Sequence, residues 1–107
     1  VATSLTETST KRFKMDINPL ENQLDTVMML NPVTFKWIDS SMGNGLEYGL
    51  IAEELYKIYP DLVKIDRDGN PESISYTKMV SILIKSIQEL KEEINKIKER
   101  FNGCGSN

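Results

Sequence analysis

The stretch "YTKMVSILIKSIQELKEEINKIKERF", residues 76–101, decides how this chain is read. Its apolar positions Tyr76, Val80, Leu83, Ile87, Leu90, Ile94, Ile97 and Phe101 are spaced by 4, 3, 4, 3, 4, 3 and 4 residues. That unbroken heptad puts Val80, Ile87, Ile94 and Phe101 at a, and Tyr76, Leu83, Leu90 and Ile97 at d. Glu93 at g and Lys98 at the following e carry opposite charges, as parallel helices require. A one-sided helix can also be the lid of a globular core. After Leu90, however, polar neighbours leave only the narrow a/d seam, which suits a coiled coil better than a wide core face. Before Leu90, Met79, Ile82 and Ile84 widen the apolar surface, so the first turns are also expected to pack on a globular part. Seam composition leaves the number of helices open: Ile at a with Leu at d favours dimers, and the Ile94/Ile97 pair favours trimers. Gly103 is the expected terminator.

Working upstream, "LVKI", "RDGN" and "ESISY" read as a strand, an Asp68-Gly69 turn and a returning strand. Asp66, Asp68 and Asn70 resemble a calcium loop only superficially, because no glutamate follows at loop position twelve. "YGLIA" (48–52) reads as a buried strand, and "EELYKIY" as one or two helical turns ended by Pro60. "VTFKW" (33–37) alternates as a half-buried strand, and "DSSMGNG" is a loop. Asn18-Pro19 has the form of a helix start, with Leu20, Leu24, Val27 and Met28 on one face. Pro32 should stop that helix near Leu30. The expected globular core is Leu24, Val27, Phe35, Trp37, Leu50, Ile51 and Leu62. Residues 1–8 form a polar leader, and the Val1 start is expected of a piece of a longer protein.

Bulk composition narrows the function classes. The 107 residues carry thirteen basic and sixteen acidic side chains, for a net charge of −3. This offers no general attraction for nucleic acid. A basic-region coiled-coil DNA binder would run its basic stretch directly into the heptads, whereas "KRFK" lies some sixty residues before them. No apolar run reaches membrane-spanning length. With no histidine and one cysteine, Cys104, the familiar zinc sites and His-based triads are excluded, and no cofactor or metal is expected. One domain of this size has a marginal core, which assembly would supplement.

Four pieces stand in order: "STKRFKMDINPL", "LNPVTFKW", "YGLIAEEL…YPDLV" and "ISYTKMVSILIKSIQELKEEI". Together they resemble the endosialidase-type intramolecular chaperone domain over about residues 9–98. That domain occurs at the C-terminus of phage tail spikes, tail fibres and neck appendages, and in some membrane-tethered transcription factors. The resemblance implies an α+β fold: a small mixed helix and hairpin domain over 9–75, then a helix over 76–102 forming a parallel trimeric coiled coil. Residues 103–107 would be a flexible end. The expected trimer interface is Val80, Leu83, Ile87, Leu90, Ile94 and Ile97. The expected partners are two further copies and the upstream part of the parent chain, with no nucleic acid and no membrane. The implied setting is the host bacterial cytoplasm during virion assembly.

The resemblance also implies self-cleavage. The family's motif is a serine directly after the scissile bond and a lysine five positions later. Here it maps to Ser9 and Lys14 as the catalytic pair, with Arg12 and Phe13 before the lysine and the cut between Thr8 and Ser9. Thr10 stands where the family often has aspartate, Glu53 where it usually has glutamine, and the histidine of some members is missing. The alternative reading is a non-cleaving trimerisation module of the same fold. Chemically, a serine hydroxyl needs a base, and lysine serves only when neutral, against a free value of about 10.4. Desolvation and like charge, here from Lys11 and Arg12, favour the neutral amine. In a strand five residues span roughly 16 Å. In a helix they stand about 140° apart. A turn or a neighbouring chain must therefore join Ser9 to Lys14.

Overall fold

A computed structural model describes residues 6–105, with side chains described as far as Gly103. The first five residues of the expected leader, the Cys104 side chain and residues 106–107 lie outside that description. The chain is a mixed helix and hairpin body carrying one long helix, and its principal extents are 65 × 38 × 29 Å. The elements are a one-turn helix α1 (Leu24–Val27), strands β1 (Val33–Phe35) and β2 (Glu47–Gly49), and a short helix α2 (Ala52–Tyr56). Strands β3 (Val63–Ile65) and β4 (Pro71–Ile74) and helix α3 (Tyr76–Gly105) follow.

Each pair of strands forms its own antiparallel sheet. In the first, Val33, Thr34 and Phe35 face Gly49, Tyr48 and Glu47. In the second, Val63 faces Ile74 and Ile65 faces Pro71, with a bulge between Lys64 and Ile65. The expected Asp68-Gly69 turn closes this second hairpin. Gly69 takes φ +85, a conformation costly for residues with a Cβ. The Asp66 carboxylate accepts from the N–H groups of Asp68 (2.9 Å) and Asn70 (3.0 Å), so it is committed to the turn.

The core lies where α2, the β3–β4 hairpin and α3 meet. Leu55, Leu62 and Met79 are its fully buried apolar residues among those described, flanked by Leu30, Leu50, Tyr59, Val63, Ile74 and Ile82. Three such residues make a sparse core, leaving much apolar surface for other contacts. The expected core is corrected here. Of its seven members only Leu62 is fully buried, while Trp37 is 39% and Ile51 37% exposed. Trp37 lies beyond the end of β1, packed edge-on against Phe35 with ring centroids 5.1 Å apart. Leu55, from the unpromising "EELYKIY", takes the centre instead.

Three boundaries also differ. The strand expected over 48–52 pairs only through Gly49, and Ala52 already begins α2. Helix α3 continues through Gly103 to Gly105 instead of ending there. Asn18-Pro19 starts no helix: Asp16 adopts φ 54, and the Asn18 amide donates to the Asp16 carbonyl at 3.0 Å. Helix α1 begins at Leu24 because Glu89 of α3 caps it. One carboxylate oxygen accepts from the N–H groups of Gln23 (2.6 Å) and Leu24 (3.0 Å). Glu89→Ala should therefore cost about 1–2 kcal/mol in chemical denaturation, with Glu89→Gln intermediate, because two N–H groups lose their acceptor.

Tyr59 adds a second tie at the same place, its hydroxyl donating to Gln23 Oε1 at 2.7 Å. Burial pushes its phenol above its ordinary value, and the nearby Glu89 charge adds to the effect. At the base of α3 the Leu50 N–H donates to the Tyr76 hydroxyl at 3.0 Å. Gly49 makes this possible, since a Cβ there would lie 2.7 Å from that hydroxyl and 3.3 Å from the Phe35 ring. Gly49→Ala should destabilise by about 1–3 kcal/mol. Adding Tyr76→Phe should recover part of the loss, a non-additivity that a double-mutant cycle measures.

Candidate functional site

Residues 9–14 are shaped by a single tight turn. Thr10, in extended geometry, caps a 3₁₀ turn over Lys11–Phe13, and its hydroxyl accepts from the Arg12 N–H at 3.4 Å. The Phe13 N–H donates to the Thr10 carbonyl (3.3 Å) and the Lys14 N–H to the Lys11 carbonyl (3.1 Å). This reversal folds Lys14 back over Ser9, and the Lys14 Nζ donates to the Ser9 Oγ at 2.7 Å. Of the two routes the spacing leaves, a turn or a neighbouring chain, the structure shows the turn, within one chain. Thr10 serves as the cap in the place where aspartate, a somewhat stronger N-cap, is common in the resembled family.

The pair faces solvent in the single chain. Thr8, Ser9 and Lys14 are exposed, as are Lys11 and Arg12. The Arg12 guanidinium lies 5.3 Å from the centre of the Phe13 ring, a cation–π contact, although Phe13 is 73% exposed. No group of three or more His, Cys, Asp or Glu side chains among the described residues could hold a metal ion. No helix among them is long and apolar enough to cross a membrane.

Helix α3 presents two faces with different uses. Met79, Ile82, Ser86 and Glu89 turn toward the body, and the buried Ser86 hydroxyl donates to the Ile82 carbonyl at 2.9 Å. Val80, Leu83, Ile87, Leu90, Ile94, Ile97 and Phe101 form the other face and are all exposed, including Ile87 at 66%. Near the body this stripe runs into an open apolar groove of about 740 Å³, lined among others by Val27, Val33, Tyr48, Leu50 and Leu83. The seam residues expected from the heptads are therefore arranged together along one uncovered face. Sequence reasoning misses Glu89 and the Tyr76 hydroxyl, because their partners lie 65 and 26 residues away.

Comparison with known proteins finds a family and several relatives. A family model described as chaperone of endosialidase, and bearing a peptidase name, matches residues 9–64. The match begins at Ser9 itself. The long tail fiber protein Gp37 of Enterobacteria phage Ox2 is 35% identical over 96 residues, covering 84% of this chain and 38% of that protein. The protein of the same name from Salmonella phage S16 is 30% identical over 109 residues, covering 89% of this chain and 15% of that protein. The chain thus spans under two-fifths of the length of these relatives. Since the family match takes in just over half of the 107 residues, beginning with the serine of the hydrogen-bonded pair, the chain belongs to the chaperone-of-endosialidase family.

Proposed function

We propose that this chain is the trimerisation chaperone of a phage tail-fibre protein and that it releases itself by cutting before Ser9. The observation that carries the chemistry is the 2.7 Å contact between the Lys14 Nζ and the Ser9 Oγ. A neutral Lys14 takes the hydroxyl proton as the Ser9 Oγ attacks the carbonyl carbon of Thr8 through a five-membered ring. Lys14 then returns that proton to the Ser9 nitrogen and the peptide C–N bond breaks, leaving Thr8 esterified to the Ser9 Oγ. Water hydrolyses the ester, giving a Thr8 carboxylate, a free Ser9 amine and the restored hydroxyl.

The pair is exposed to solvent in the single chain, and a lysine serves as a base only when neutral, so the proposed cut waits on assembly. Assembly supplies the missing step by drying the site. The uncovered heptad face provides the assembly: three copies of α3 pack as a parallel coiled coil, with Val80, Leu83, Ile87, Leu90, Ile94 and Ile97 in the seam. Cleavage then marks a completed trimer and separates the leader, residues 1–8, from the rest. The tail-fibre setting is carried over from the relatives, and the bacterial cytoplasm during virion assembly is proposed alongside it. N-terminal sequencing of the fragment released from a chain joined to its upstream parent tests this reading. Ser9 should be its first residue. A trimer that stays intact would make the chain a structural module instead.

A further inference from the structure

A second groove, of about 550 Å³, opens beside the base of α3. Its walls include Phe35, Trp37, Tyr48 and Tyr76, and the acidic residues Glu47, Glu53 and Glu72 line it as well. Trp37 and Glu53 come from "LNPVTFKW" and "YGLIAEEL", two of the segments that carry the family resemblance. The function proposed above gives this groove no role.

Elsewhere the same chain presents an uncovered segment of complementary character. Lys11, Arg12 and Lys14 carry three positive charges within four residues, and Phe13 and Met15 beside them are 73% and 83% exposed. No residue of this segment lines the groove of its own chain. We infer that the groove receives Arg12 and Phe13 of a second copy of this chain, an inference that rests on reading the chain as a self-cleaving assembly.

Charge and shape agree on that occupant. Acidic residues line the groove and Arg12 brings the opposite charge, with the Arg12–Phe13 cation–π unit already formed. A planar guanidinium and a ring suit an aromatic wall carrying acidic groups. Tyr76 belongs both to the groove and to the heptad seam, so a chain packed on the seam stands beside the groove. Lys14 remains outside it, held by Ser9. Docking Arg12 and Phe13 pins the turn and leaves the Ser9–Lys14 pair at the rim for the closing trimer to cover.

Trp37 is the only tryptophan of the chain, so it reports the groove directly. Acrylamide quenching of its fluorescence is compared between the wild-type chain and an Arg12→Glu/Phe13→Ala variant, with equal oligomeric state verified by sedimentation. Quenching should rise about threefold in the variant, as a water-excluding anchor is withdrawn from its pocket. The variant is then refolded with an excess of chains that carry Trp37→Phe and the native segment. Renewed protection of the remaining tryptophan assigns the occupant to another copy. Equal quenching in wild type and variant overturns the inference, as does protection that mixing fails to restore, which would place each segment in its own groove. Ser9→Ala chains separate this result from the cleavage reading. If they are cut like wild type the dyad fails, while the docking still stands or falls on quenching alone.

Discussion

Ser9→Ala, in a chain joined to its upstream parent, should leave the assembled protein uncut, with at least about a 10³-fold loss of cleavage rate. Both members of the pair are exposed, so neither substitution should change stability by more than about 0.5 kcal/mol. Loss of cutting in a normally folded trimer would thus report chemistry. Lys14→Arg is the sharper test. Arginine preserves charge and reach and can still donate to the Ser9 hydroxyl, but it does not give up its proton near neutral pH. It should therefore be as inactive as Ser9→Ala. Ser9→Cys should retain some cutting, since a thiol ionises more readily than a hydroxyl. Wild-type cutting by Lys14→Arg would remove lysine as the base, and the 2.7 Å contact would then be an ordinary surface hydrogen bond.

The second large effect is expected from Ile87→Asp combined with Leu90→Asp. In the single chain these side chains are 66% and 46% exposed, away from Leu55, Leu62 and Met79, so the body should survive the change. In a three-chain seam the same substitutions bury six carboxylates without partners, at a cost of several kcal/mol for each that stays charged. Sedimentation equilibrium should show trimers for the wild type and single chains for the variant at micromolar concentration. Cleavage should vanish with the assembly and, in the wild type, should be first order in trimer. A variant that cuts normally as a single chain would uncouple assembly from chemistry, even with Ser9 as nucleophile. A wild-type chain sedimenting as one or two copies would remove the trimer itself.

Features of short sequence range are legible in the amino-acid sequence by itself. The periodicity from Tyr76 to Phe101 specifies one continuous helix with an apolar stripe, because every residue that defines the stripe belongs to that helix. The Asp68-Gly69 turn is equally local, its hydrogen bonds closing within Asp66–Asn70. The five-residue separation of Ser9 and Lys14 rules out a regular strand or helix between them but leaves a turn or a neighbouring chain open; the structure chooses the turn, with Thr10 as its cap. Packing decides the rest. Asn18-Pro19 offers a sound local start, yet α1 begins where Glu89, from another element, satisfies its first N–H groups. Trp37 and Ile51 follow strand-like patterns but lie outside the core, because β1 and β2 pair for only three residues each. Leu55 is central because α2 is pressed between the second hairpin and the rest of the body, a placement that alternation in sequence cannot encode. Local hydrogen bonding and periodicity are written within a few turns of chain, whereas burial depends on which elements meet.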